Sequence, residues 1–127
     1  MESDVKVTKS SRLITTTVLG VVFGVICMLL SRYTTQVAFW PIGVSFLLNH
    51  TVMGLAIGAS LLKVHWAAHG ALWGALFGIF TAISRIGTGL DALTVFILFI
   101  AVVIWGFLIE TLATKTFKRP QYHYVGK

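Results

Sequence analysis

Apolar residues in this chain fall into four long blocks separated by short polar segments. The blocks cover about residues 13–30, 39–62, 66–84 and 92–113. Each is close to the roughly 20 residues that an α-helix needs to cross the hydrocarbon core of a bilayer. Lipid offers no hydrogen bonds to an open backbone, so such blocks must be helical. The pattern predicts an all-α membrane protein of one domain, with four transmembrane helices in an up-down bundle with short loops.

The segments between the blocks carry signals for where helices begin and end. Pro41 suits the first turn of the second helix, where its missing N–H would have had no partner. Gly87 and Gly89 are expected to end the third helix, and Asp91 is placed to cap the fourth. Residues 63–65 must form a very tight turn, although they include no Gly, Pro or Asn.

Composition supports the membrane assignment. Of the 127 residues, 57% are hydrophobic and only 11% are charged, whereas soluble domains carry about 25% charged residues. The net charge of +6 arises mainly in the two tails. Such short basic tails favour contact with anionic lipids and predict no nucleic-acid partner. Cys27 is the single cysteine, so an intrachain disulfide is excluded.

The basic residues also predict the topology. With four full spans, most of them share one side of the membrane: Lys6, Lys9, Arg12, Lys63, Lys115, Lys118, Arg119 and Lys127. Arg32 and Arg85 lie on the other side. The positive-inside rule then places both tails, residues 1–12 and 114–127, in the cytoplasm, in a cell or organellar membrane. A re-entrant turn at Asn49 and His50 would instead put the tails on opposite sides, and the charge distribution argues against it.

Small residues recur at four-residue spacing in three of the blocks. The ridges consist of Gly20 and Gly24, of Gly54 and Gly58, and of Gly70, Gly74 and Gly78. Positions four apart lie on one face of a helix, and small residues there let two backbones approach closely in lipid. The ridges therefore predict helix packing, which we expect mainly within the chain. A second copy of the chain or a glycine-lined pore remains an alternative.

Polar residues inside the second block lie near the expected bilayer midplane. Asn49 and His50 are adjacent there, and His50 shares a face with Gly54 and Gly58. Intramembrane polar groups need partners, which makes each a candidate for function. We favour hydrogen bonding between helices as their role. The alternative is a proton relay or cation site at His50.

A second group of polar residues is expected near the cytoplasmic surface. His65 and His69 are four residues apart, roughly opposite the glycine ridge of the same helix, and Glu110 should lie at the depth of His69. Two imidazoles and a carboxylate are a ligand set for a transition metal, and two imidazoles suit haem. The favoured interpretation needs no cofactor: His69 bonds a backbone carbonyl or a threonine, and Glu110 is solvated or pairs near Lys63 or Lys115.

These features suggest function only broadly. The leading hypothesis is a non-enzymatic membrane protein that self-associates or serves as a subunit of a larger membrane complex. The alternative is a proton- or cation-coupled transporter or channel that uses Asn49 and His50 at the midplane and His65, His69 and Glu110 at the cytoplasmic mouth. Four short spans in this length resemble the architecture of small dimeric multidrug transporters. Those proteins carry a glutamate in their first span, and this chain has none there.

Overall fold

The computed structural model describes residues 9–36 and 38–118 and shows an all-α four-helix bundle. The helices are α1 (Lys9–Thr35), α2 (Val44–Ala59), α3 (Trp66–Arg85) and α4 (Ala92–Thr111). A kinked turn at Phe39–Gly43, in which Trp40 is extended with φ −113° and ψ 134°, leads into α2. A π-helical turn at Leu112–Thr116 extends α4. The predicted fold class is confirmed. The predictions for residues 1–8 and 119–127 lie outside the described residues.

All four helices are long and apolar enough to cross a membrane. Large apolar side chains such as Ile14, Phe80 and Leu93 are about 60–66% exposed on the outside of the bundle. An outward apolar surface of this kind suits contact with lipid rather than water. The chain is a multi-pass membrane protein.

The second helix differs from the prediction. Helix α2 ends at Ala59 rather than at residue 62, and Ser60 is extended, with φ −64° and ψ 135°. The link to α3 therefore takes six residues, 60–65. The prediction of a very tight turn at residues 63–65 was wrong. Leu61 and Leu62 are exposed apolar residues of this link. Hydropathy alone counted them as part of the helix.

Helices α1 and α2 form a first hairpin, and α3 and α4 form a second hairpin. In each hairpin, glycines allow the two helix backbones to approach closely. In the first hairpin, a Cβ atom on Gly20 would lie 3.2 Å from Cα of Gly54, and one on Gly24 would lie 3.0 Å from Cα of Leu47. In the second hairpin, a Cβ atom on Gly106 would lie only 2.6 Å from Cα of Gly74. The glycine ridges thus lie against backbone of the same chain.

The two hairpins meet through larger side chains. A buried apolar cluster joins them, consisting of Leu19, Phe23, Met53, Ile57, Val102, Ile109 and Ala113. The rings of Phe23 and Trp105 lie 4.9 Å apart between α1 and α4. The packing within each hairpin therefore involves backbone, whereas the packing between hairpins is made by side chains.

The loop before α4 follows the sequence signals. Gly87 and Gly89 have φ values of 84° and 83°, a region that glycine adopts readily because it lacks a Cβ atom. The Asp91 carboxylate then accepts a hydrogen bond from the backbone N–H of Thr94 at 3.2 Å, and also bonds the Thr94 hydroxyl. Asp91 caps α4 as predicted.

This cap is expected to depend on pH. Hydrogen bonds from the Thr94 side chain and backbone hold the pKa of Asp91 below its ordinary value. Because the folded-state pKa is depressed, the cap stabilises α4 above the unfolded-state pKa and is lost as pH falls through the folded value. We expect the NMR chemical shift of the Thr94 amide proton to change as Asp91 is protonated, with a midpoint below the ordinary aspartate range. Asp91→Asn should abolish the titration, and an unchanged curve in that variant would contradict the assignment.

Candidate functional site

A buried ion pair connects the two hairpins near one end of the bundle. Arg12 of α1 donates from Nη2 to both carboxylate oxygens of Glu110 in α4, at 2.9 and 2.8 Å. His69 of α3 lies 2.7 Å from the same carboxylate through its Nδ1 atom. The Glu110 and His69 side chains are completely buried, and Arg12 is 3% exposed. Three helices thus contribute to one charged cluster.

Two further side chains complete the hydrogen bonds of this cluster. Thr114 donates its hydroxyl to Glu110 Oε1 at 2.7 Å. The indole N–H of Trp73 lies 3.3 Å from Nε2 of His69. An indole N–H can only donate, so Nε2 must accept and the proton of a neutral imidazole must sit on Nδ1. His69 therefore donates to Glu110 as a neutral ring of defined tautomer.

The backbone explains how these groups come together. A Cβ atom on Gly70 would lie 2.6 Å from Cβ of Glu110 and 2.7 Å from the carbonyl oxygen of Gly106. The missing side chain of Gly70 lets α4 approach α3 so closely that Glu110 reaches the neighbouring His69. Thr114 follows Glu110 by one helical turn and so lies on the same face.

The formal charges of the cluster sum to zero. The Arg12 guanidinium and the Glu110 carboxylate cancel, and the tautomer assignment makes His69 neutral. The carboxylate accepts hydrogen bonds from Arg12, His69 and Thr114, which compensates for its burial. We call Arg12, His69, Trp73, Glu110 and Thr114 the hairpin cluster.

The structure gathers only part of the predicted metal-ligand set. His65 is exposed and caps α3, where its Nδ1 atom accepts from the Ala67 N–H at 3.4 Å. Within residues 9–36 and 38–118, the side chains of His, Cys, Asp and Glu form no group of three suited to a metal ion. A guanidinium beside Glu110 also disfavours a second cation there. His69 and Glu110 lie together, but without His65.

Two details of the favoured interpretation were also wrong. Glu110 pairs with Arg12 rather than with Lys63 or Lys115. His69 bonds the Glu110 carboxylate rather than a backbone carbonyl or a threonine. The sequence correctly placed His69 and Glu110 at the same level of the bundle, but it did not predict the contact of Glu110 with Arg12.

Asn49 and His50 have different environments. Helix α2 runs through both without a break, so the re-entrant alternative was wrong. Asn49 Nδ2 donates to the Thr81 hydroxyl at 3.2 Å, which links α2 to α3 across the hairpins. His50 is completely buried and bonds Phe46 of its own helix through Nδ1 at 2.8 Å. Its Nε2 atom has no hydrogen-bond partner among the described residues.

Sequence reasoning missed Arg12, Trp73 and Thr114. Arg12 was assigned to a polar tail, because it precedes the first apolar block. One signal pointed to it: Glu110 is the only acidic residue within the four apolar blocks, and Arg12 lies at the same end of the bundle. A buried acid needs a base of similar depth.

Comparison with known proteins identified no relative of this chain. No family model, no curated protein and no solved structure matches this chain. Function must therefore be inferred from the geometry of the site itself.

Proposed function

We propose that this protein is a small proton-coupled transporter in which the hairpin cluster is the proton-responsive contact between two moving hairpins. The observation that supports this most strongly is the membrane-embedded Arg12–Glu110–His69 group, which joins the hairpins by charge. Replacing a buried ion pair by well-packed apolar residues is often neutral or stabilising. Packing alone therefore gives little reason for such a group. Ionisable residues inside membranes commonly mark ion or proton pathways.

Protonation of His69 would change the cluster in a defined way. A second proton on the imidazole must go to Nε2, where it opposes the indole N–H of Trp73. The cluster then carries a net positive charge, and Glu110 holds two cations instead of one. A conformation in which His69⁺ gains other partners would then be favoured, because a proton shifts a two-state equilibrium by its differential affinity for the two states.

Other features fit a proton rather than a metal cation as the coupling ion. Arg12 already occupies the cation position beside Glu110. Asn49 and Thr81 form a second polar contact between the hairpins, and the unpartnered His50 Nε2 lies near the middle of α2. From the charge distribution, we infer that the hairpin cluster faces the cytoplasm.

His69→Gln tests the proposal. Glutamine can donate to Glu110 and accept from Trp73, but it cannot take up a proton as an imidazole does. We expect reconstituted wild-type protein to move protons into vesicles under an inside-negative potential, alone or with an added solute. The variant should fall to the rate of protein-free vesicles. An entrapped pH-sensitive dye gives the rate.

His65→Gln is the matched control, since His65 lies one turn away and is exposed. It should retain wild-type flux. A separate readout is the indole N–H resonance of Trp73, which should move with pH in the wild type and stay fixed in His69→Gln. Proton flux in His69→Gln equal to that of the wild type, or a Trp73 resonance that ignores pH in the wild type, would overturn the proposal.

Assembly into a homo-oligomer or a larger complex stays a prediction. Its main support was the number of glycine ridges, and these ridges lie against neighbouring helices of the same chain. Native mass spectrometry of untagged protein released gently from its membrane would report subunit number, partner proteins and any retained metal or haem.

A further inference from the structure

A polar cleft lies between the hairpins at the end of the bundle opposite the hairpin cluster. It measures about 240 Å³ and is bounded by α2 and α3. Its lining consists of Ser45, Phe46, Asn49, Phe80, Thr81, Ser84 and Arg85. Five of these seven side chains are polar.

Arg85 is the charged group of this cleft. Its guanidinium carbon lies 4.7 Å from the centre of the buried Phe46 ring, a cation–π contact that holds the group in place without using its N–H donors. Its Nε atom is buried and has no hydrogen-bond partner among the described residues. Every ion pair within those residues involves Glu110, so none includes Arg85. The cleft therefore presents a positive charge that the Phe46 ring holds in place and that no carboxylate of the described residues neutralises.

The other polar groups mainly offer acceptors. Ser84 donates its hydroxyl to the Thr81 carbonyl at 2.8 Å, and Ser45 donates to the Ile42 carbonyl at 2.6 Å. A hydroxyl hydrogen that is already used leaves the oxygen lone pairs for a ligand. The Asn49 side-chain oxygen is a further acceptor. A complementary ligand carries an anionic group for Arg85 and hydroxyl groups for these oxygens.

We propose that this cleft binds an oxyanion that carries neighbouring hydroxyl groups, of the glycerophosphate type. The guanidinium fork matches phosphate and carboxylate oxygens in two parallel hydrogen bonds. The volume is below the 300–1,000 Å³ typical of drug-sized pockets, which favours a small ligand or a headgroup. The same chemistry is found in soluble glycerol phosphates and in the headgroup of phosphatidylglycerol. This site is separate from the hairpin cluster and does not depend on proton coupling.

Binding to the full chain in phosphatidylcholine nanodiscs tests the site without any transport measurement. One arm titrates glycerol 3-phosphate by calorimetry. The other arm adds phosphatidylglycerol to the nanodisc and counts retained lipid by native mass spectrometry. A heat of binding in the first arm identifies a soluble ligand, and selective retention in the second identifies a lipid. Binding in neither arm would overturn the proposal.

Variants at the same end of the bundle make the test specific. Arg85→Gln should weaken binding about ten- to a hundredfold, the expected loss of charge-assisted hydrogen bonds. Arg32→Gln removes the same charge at the same end of the bundle, outside the cleft, and should change the Kd less than about twofold. Ser84→Ala should weaken binding by a smaller factor than Arg85→Gln. Equal losses in the two arginine variants would show general charge attraction and overturn the site.

Discussion

Arg12→Met should lower the free energy of unfolding by about 3–5 kcal/mol, the cost of leaving one member of a buried ion pair without its partner. The Glu110 carboxylate is completely buried and cannot reach water from its position on α4. Glu110→Gln should cost less, about 1–3 kcal/mol. The arginine that it leaves behind has a long side chain and can extend toward the nearby membrane surface. Unfolding in mixed micelles with increasing SDS measures both values.

The double variant Arg12→Met/Glu110→Gln separates pairing from packing. Because it removes both charges, it should be more stable than Arg12→Met alone. Arg32→Met, at an exposed arginine, should change stability by less than about 0.5 kcal/mol. A double variant whose loss equals the sum of the two single losses would show that Arg12 and Glu110 do not interact.

Gly74→Ala is the second variant with a large expected effect. The added methyl group would lie 2.8 Å from Cα of Val103 and 2.9 Å from the carbonyl oxygen of Val102. These are backbone atoms of α4 and cannot move without separating the second hairpin. We expect a loss of about 3 kcal/mol, at the upper end of the usual cost of overpacking. The same SDS titration gives the value.

Gly78→Ala is the matched control on the same ridge. There the nearest atom is Cδ2 of the Phe99 ring at 2.9 Å, and the closest backbone atom is 3.1 Å away. A ring can shift, so the loss should be about 1 kcal/mol or less. Both variants gain the same helix propensity, which therefore cancels in the comparison. Equal losses would mean that the close approach of α3 and α4 at Gly74 does not limit their packing.

The contacts within each hairpin differ in kind from the contacts between the two hairpins. Within each hairpin, glycines bring backbones into contact, and such contacts tolerate little change. Between the hairpins, side chains make the contacts, including the hairpin cluster and the hydrogen bond from Asn49 to Thr81. Motion of one hairpin against the other would leave the glycine contacts intact. This is the movement that the proposed proton-coupled function requires.

Hydropathy and turn residues are enough to predict the parts of this protein that depend on local properties. Four apolar blocks predicted four membrane-spanning helices, because hydropathy over about 20 residues is set by neighbours in the chain. Gly87, Gly89 and Asp91 predicted the turn and cap before α4, because their effects act over a few residues. The glycine spacing identified faces for close packing, although not the helices that occupy them.

The candidate sites depend on how the helices pack, and local patterns in the chain do not predict them. Arg12 and Glu110 are separated by 98 positions, and their contact depends on how four helices are arranged and rotated. The partner of His69, the end of α2 at Ala59 and the cleft around Arg85 depend on the same arrangement. No local pattern encodes which helix faces which, because an apolar helix face packs against lipid tails about as well as against another apolar helix. Close approach at glycines and the pairing of buried charges select one arrangement, and both are properties of the packed bundle.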